Sequence, residues 1–160
     1  NHSERVRMAN IAQAINVLQA VILTNEEKMI LTPTYHVMEM YNVHQDATYL
    51  PITLQSNNYT VGDEKLPAVS VSASKDKNRL THISLVNIDL QKSQDVSIDV
   101  SKYNLTSVTG RILSSPKIQD YNRFENPEKI KPMPFADVSI KNNLLNLKLP
   151  QFSVVVLELK

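Results

Sequence analysis

Val69-Ser70-Val71-Ser72-Ala73-Ser74 decides the fold. Apolar and polar residues alternate without a break, and successive side chains of a strand point to opposite faces. The segment predicts an antiparallel strand with one face on a core and the other toward water. Val96-Ser97-Ile98-Asp99-Val100 repeats the pattern. Outward from these two, the period of two holds from Tyr49 to the end of the chain, with strands expected over 49–54, 68–74, 81–89, 95–100, 107–114, 138–141, 144–149 and 153–159. Asn142-Asn143 supplies a hairpin turn, because asparagine tolerates positive φ, and Asp76-Lys77-Asn78 serves similarly. Short strands at such regular intervals point to a sandwich or jelly roll. Residues 115–136 carry Pro116, Pro127, Pro132 and Pro134 and read as a long irregular connection.

Ahead of residue 48 the pattern differs. Met8, Ile11, Ile15, Leu18 and Ile22 recur at spacings of three and four and predict a helix. Ser3 is its expected N-cap, Glu4 suits its positive end, and Ala9, Ala12 and Ala14 favour it. Met29-Ile30-Leu31 reads as a strand buried on both faces, stopped by Pro33. Thr34 is expected to cap a second helix over 35–45, with Val37, Met38 and Tyr41 inward. A doubly buried strand needs backbone partners on both sides, and helices alternating with such strands mark a parallel α/β sheet or barrel. Residues 1–48 therefore read as a piece of a larger α/β domain; the plainer alternative is a linker between two helices.

Composition removes whole classes of chemistry. The 160 residues hold 17 Lys and Arg against 16 Asp and Glu, a net charge of +1, which argues against a basic nucleic-acid surface. Cysteine is absent, which excludes disulfides, zinc–thiolate sites and thiol nucleophiles, while leaving the compartment open. Two glycines exclude a phosphate-cradling loop. No apolar run reaches the roughly 20 residues a membrane helix needs. The histidines are His2, His36, His44 and His82. His36 and His44 are eight apart, whereas helical zinc pairs sit at i and i+4, so neither metal nor cofactor is expected. No Gly-x-Ser-x-Gly elbow occurs, and the serines fall mostly on polar strand faces. Glu26, Glu27, Glu39, Asp120 and Glu125 read as solvated charges rather than an acid pair. Asn58-Tyr59-Thr60 and Asn104-Leu105-Thr106 match a glycosylation pattern that arises readily by chance. Tyr103, Tyr121, Phe124 and Phe135 are either loop and core anchors or a sugar-stacking platform. The residues alone describe a β-sandwich joined to part of an α/β domain, with the function open.

Several segments carry a family likeness. Met8-Ala9-Asn10-Ile11-Ala12-Gln13 and Ile15-Asn16-Val17-Leu18-Gln19, then Leu31-Thr32-Pro33-Thr34-Tyr35-His36-Val37 and Tyr41-Asn42-Val43-His44-Gln45-Asp46-Ala47, resemble the end of a catalytic barrel. Phe124-Glu125-Asn126-Pro127, Ile130-Lys131-Pro132 and the closing run from Phe152 to Leu159 resemble the sandwich that follows it. From about Val6 onward the chain resembles the C-terminal part of glycoside hydrolase family 51 α-L-arabinofuranosidases. The resemblance implies a mainly β chain: residues 1–48 as a helix–strand–helix remnant of a (β/α)8 barrel and 49–160 as a C-terminal jelly-roll β-sandwich.

The activity it implies is retaining removal of terminal α-L-arabinofuranosyl groups from arabinan or arabinoxylan. Retention needs two carboxyl groups roughly 5–5.5 Å apart, one nucleophilic and one acid/base. In the family both are glutamates at barrel strand ends, the acid/base within Asn-Glu-Pro. This chain lacks Asn-Glu-Pro, and Glu125-Asn126-Pro127 holds the same residue types in another order. Both glutamates are expected upstream of Asn1, so no catalytic residue is assigned and the chain alone is expected to be inactive. Leu31 and Thr32 are the expected substrate-binding residues, at the strand end facing a barrel's active site. Some family members place a polar, sugar-contacting residue at the position of Leu31, a hydrogen bond leucine cannot make. The implied partners are an arabinose-containing polysaccharide or oligosaccharide, reached through the barrel, and further copies in a homo-oligomer; nucleic acid and membrane are not expected. The alternative function is a stand-alone carbohydrate-binding sandwich, against which the absence of tryptophan counts.

Overall fold

The computed structural model describes residues 2, 4–6, 8–11 and 14–160. Its elements run β1 (Ile22–Asn25), β2 (Lys28–Leu31), α1 (Pro33–Tyr41), a 3-10 turn (Asn42–His44), β3 (Thr48–Tyr49), β4 (Asn58–Val61), β5 (Glu64–Pro67), β6 (Val69–Lys75), β7 (Thr81–Asn87), β8 (Gln94–Asp99), β9 (Val108–Leu113), β10 (Met133–Pro134), β11 (Val138–Lys141), β12 (Leu144–Leu149) and β13 (Ser153–Leu159). An open six-stranded antiparallel sheet has the order β10-β9-β13-β7-β6-β3. A three-stranded sheet, β11-β12-β8, lies opposite, and β1-β2 and β4-β5 are separate hairpins. The chain is mainly β.

Alternation builds the core between the sheets. Val69, Ala73, Ile83, Leu85, Val155 and Leu157 from the larger sheet meet Leu145, Leu147 and Leu149 from the smaller. Leu85, Leu145, Leu149, Val155 and Leu157 are almost wholly buried, each stabilising the fold by about 1.5–3 kcal/mol over exposure. The Val154–Leu157 run breaks alternation because β13 is covered on both sides. Its other face, with Val156, joins Met40, Leu113 and Ile130 under α1, with Val37, Tyr41 and Val43 alongside. α1 therefore forms a third layer on the outer face of the six-stranded sheet.

Turn chemistry follows the sequence. Asn142 and Asn143 have φ of 50° and 61° and close the β11–β12 hairpin in the register Lys141↔Leu144. Between β6 and β7, Asp76 Oδ1 accepts the Leu80 N–H at 2.8 Å while Arg79 takes φ 67°.

Four expectations are corrected. Among the described residues of Met8–Ile22 no helix forms: Asn16 and Gln19 have positive φ, and Ile22 opens β1. Its intended stripe is exposed at Met8, Ile11, Ile15 and Leu18. Helices owe most of their stability to packing of an apolar face, and this stripe meets no surface. Ser3, Ala12 and Gln13, also assigned to that helix or its motif, lie outside the described residues. Next, β2 is not buried on both faces. It pairs antiparallel with β1, burying Ile30 while Met29 is 61% exposed. Third, the second helix starts at Pro33 with Thr32 as cap, because proline suits the first helical position. Val37 and Tyr41 face inward as expected, but the fully buried residue is Met40, and Met38 is exposed. Fourth, the strand expected over 49–54 shrinks to Thr48–Tyr49, where Pro51 removes a ladder donor.

Candidate functional site

The expected site residues sit where β2 hands over to α1. Thr32 Oγ1 donates to the Ala20 and Val21 carbonyls at 2.8 and 3.0 Å and accepts the Tyr35 N–H at 3.4 Å. Its one hydroxyl proton is thus committed to the fold. Leu31 is half-buried beside it and offers an aliphatic surface.

The connection from β9 to β10 reaches this strand end. Asn122 is buried, and its Nδ2 donates to the Leu31 carbonyl at 2.8 Å and the Ile130 carbonyl at 2.9 Å. Its Oδ1 accepts the Ile130 N–H at 2.7 Å. Asp120 accepts from Lys129 Nζ at 2.7 Å and from Ser115 Oγ, bonds that hold its carboxyl below the usual range. Glu128 likewise pairs with Lys131. The loop is a pinned structure despite lacking regular secondary structure.

α1 is fastened by charge and by a histidine. Arg111 on β9 grips Glu39 through two hydrogen bonds, which keeps the Glu39 carboxyl below its ordinary range. His36 lies near Glu39, Arg111 and Glu128, and burial lowers its pKa. His44 hydrogen-bonds Ser74 Oγ through Nδ1 at 2.7 Å and Ser84 Oγ through Nε2 at 2.5 Å. Burial, then the nearby His82, push the His44 pKa down. His82 is buried, with Nε2 3.2 Å from Asp76 Oδ2. Ser74 and Ser84 correct the reading of these serines as wet, since the 3-10 turn covers that stretch of sheet. The polar face of β8 does stay exposed at Asp95, Ser97 and Asp99.

The remaining candidates scatter. Glu26 and Glu27 form the β1–β2 turn. Phe135 is core, whereas Tyr121 is exposed under the Arg123 guanidinium, 4.4 Å from the ring centre. Tyr103 lines a cleft of about 350 Å³ between the sheets, so these aromatics do not converge. A groove of about 630 Å³ beside β8 is lined by Gln55, Asn57, Gln94, Asp95 and Asp99, with no aromatic. Among the described residues no group of three or more His, Asp or Glu is placed to hold a metal. No described helix is long and apolar enough to cross a membrane. Sequence reasoning missed Asn122, whose neighbours Tyr121 and Arg123 carry no pattern that marks it.

The fold and these side chains define a mainly β module whose buried polar groups fasten a helix and a long loop to a sheet. More particularly, the chain belongs to the alpha-L-arabinofuranosidase C-terminal domain family, whose sequence profile matches residues 1–153. It is 47% identical over 160 residues to an intracellular exo-alpha-L-arabinofuranosidase of Bacteroides ovatus, covering 99% of this chain and 31% of that protein. A crystal structure of the GH51 arabinofuranosidase from Xanthomonas axonopodis pv. citri superposes with a TM-score of 0.95 at 46% identity, over 99% of this chain and 32% of that one. A family 51 alpha-L-arabinofuranosidase from Bifidobacterium longum gives a TM-score of 0.88 over 99% of this chain and 32% of that one; at 24% identity this likeness speaks to the fold alone. The chain thus spans about a third of the relatives it matches and corresponds to their C-terminal part.

Proposed function

We propose that this chain is the C-terminal part of an enzyme that removes terminal non-reducing α-L-arabinofuranosyl groups, with retention, from arabinan or arabinoxylan. The observation that carries the reading is the 47% identity to the Bacteroides ovatus protein along nearly the whole chain. In this reading residues 1–48 complete a (β/α)8 barrel, and 49–160 form a jelly-roll sandwich that braces it. The exposed Met8, Ile11, Ile15, Leu18, Met29 and Met38 support the division, because so much apolar surface in one stretch is what a further domain covers. Leu31 and Thr32 end the β2 arm of the β1–β2 hairpin, which this reading sets at the substrate face of the barrel. With the Thr32 hydroxyl committed inward, contact with the sugar falls to the Leu31 side chain. The two glutamates belong to the rest of the barrel, so this chain alone is expected to be inactive.

The test is to express the full-length protein and the 160-residue chain side by side on an aryl α-L-arabinofuranoside and on arabinan. Arabinose released by the full-length protein only, with the retained anomer first by proton NMR, is the expected result. No release by the full-length protein, or inversion, overturns the reading. Light scattering on the same sample reports whether copies assemble.

A further inference from the structure

Asn122 ties the long loop of the β-module to the end of β2 across a sequence separation of 91 residues. A single buried amide joins three backbone groups: the Leu31 carbonyl, the Ile130 carbonyl and the Ile130 N–H. The loop that presents it is stiffened by the Lys129–Asp120 pair at 2.7 Å, by Ser115 on the same carboxylate, and by the stacked Arg123 and Tyr121. Leu31 is held from the other side by β1, through the register Ile22↔Leu31, and the following N–H of Thr32 donates to Val21 at 3.1 Å. The backbone of Leu31 is therefore clamped between a hairpin strand and a loop of the sandwich.

We infer that Asn122 is a positioning residue for substrate binding: through the Leu31 carbonyl, the β-module sets where the Leu31 side chain meets the sugar. The inference rests on the placement of Leu31 at the substrate end proposed above. An aliphatic contact is made equally to substrate and transition state, so misplacing it raises KM and spares kcat. Losing folded protein does the opposite, lowering the maximal rate and leaving KM alone. The module then acts on the reaction it does not itself perform.

The experiment compares full-length wild type with Asn122→Asp, Asn122→Ala, Leu31→Ala and the double Asn122→Ala/Leu31→Ala on an aryl α-L-arabinofuranoside. Asn122→Asp keeps an acceptor for the Ile130 N–H and loses both donors. Each Asn122 variant is expected to raise KM about 5–20-fold with kcat within about threefold. Leu31→Ala, at a half-exposed position that does not endanger folding, is expected to do the same, and the double variant to add little to it. Lys117→Ala, an exposed side chain of the same loop that takes no part in holding Asn122, is expected to leave KM unchanged. Unaltered KM in the Asn122 variants, or in Leu31→Ala where the Asn122 variants do not fold, overturns the inference while wild-type activity preserves the functional reading. A wild type that releases no arabinose overturns both.

Discussion

Arg111 and Glu39 face each other in a two-pronged pair, Nη1 to Oε1 at 2.9 Å and Nη2 to Oε2 at 2.8 Å. It joins the middle of β9 to the second turn of α1, 72 residues away in sequence. The apolar contacts under α1 set how far the helix lies from the sheet. The planar guanidinium–carboxylate fork sets how it is rotated, because both prongs close in one orientation only.

Both partners are partly exposed, 48% and 37%, so water and salt screen the pair. A double-mutant cycle with Glu39→Gln and Arg111→Met is expected to give a coupling of about 0.5–1 kcal/mol by urea unfolding, falling as salt is raised. Because Arg111 holds the Glu39 carboxyl below its ordinary range, this stability is complete above that range and is lost as pH falls through the depressed value. A coupling that is independent of salt contradicts this account.

His44 predicts a second pH dependence of the same direction from a different cause. Burial disfavours its charged form, so the folded chain binds fewer protons here than the unfolded chain does. His36 is shifted the same way. Stability is therefore full above the ordinary imidazole pKa of about 6.5 and declines as pH drops through it, levelling once His44 is protonated in the fold as well. Urea midpoints taken from pH 8 to 5 are expected to fall, and His44→Asn is expected to flatten the curve. A wild-type midpoint constant over that range contradicts the assignment.

The sheets were legible and the edges were not, for a physical reason. The strands ending at Lys141, Leu149 and Leu159 match expectation residue for residue, because the Asn142-Asn143 turn and Pro150 mark their bounds, β12 alternates over the core and β13 is an apolar run. β4 and β5 lie exposed or half-exposed throughout and so leave no alternation to read. The stripe from Met8 to Ile22 misled because a period shows which side chains would share a face, not whether a surface exists to cover it. Ser74 and Ser84 were hidden similarly: a hydroxyl looks wet in sequence whether water or an imidazole answers it. Leu31 and Thr32 emerged from family resemblance alone. Asn122 did not emerge at all, since its importance lies in a contact that only the folded chain creates.

Leu18 and Leu157 should separate surface awaiting a neighbour from true core. Leu157 is fully buried between the sheets, and Leu157→Ala is expected to cost about 2–5 kcal/mol in the 160-residue chain. Leu18 is 90% exposed, so Leu18→Ser is expected to stay within about 0.5 kcal/mol there. In the full-length protein the same serine is expected to cost about 1–3 kcal/mol, because the proposed barrel buries the leucine. Equal effects of Leu18→Ser in both proteins would falsify the division at residue 48.

Gly110 marks the place where the long loop returns to the sheet. A Cβ there would stand 2.9 Å from Leu157 Cδ2, 3.1 Å from the Phe135 carbonyl oxygen and 3.2 Å from Phe135 Cβ. The Phe135 N–H donates to the Gly110 carbonyl at 2.8 Å, so the two backbones are already as close as a ladder bond requires. Leu157 is fully buried and Phe135 nearly so, and the Phe135 oxygen is backbone, so a Cβ at Gly110 forces a shift in packed surroundings. Gly110→Ala is therefore expected to destabilise the chain by about 1–3 kcal/mol, through overpacking rather than backbone strain, since Gly110 does not adopt positive φ. The companion Leu157→Val removes the nearest clashing atom and should recover part of that loss in the Gly110→Ala background. Additive costs for the two substitutions, measured by urea unfolding, would place the strain in the Phe135 backbone instead.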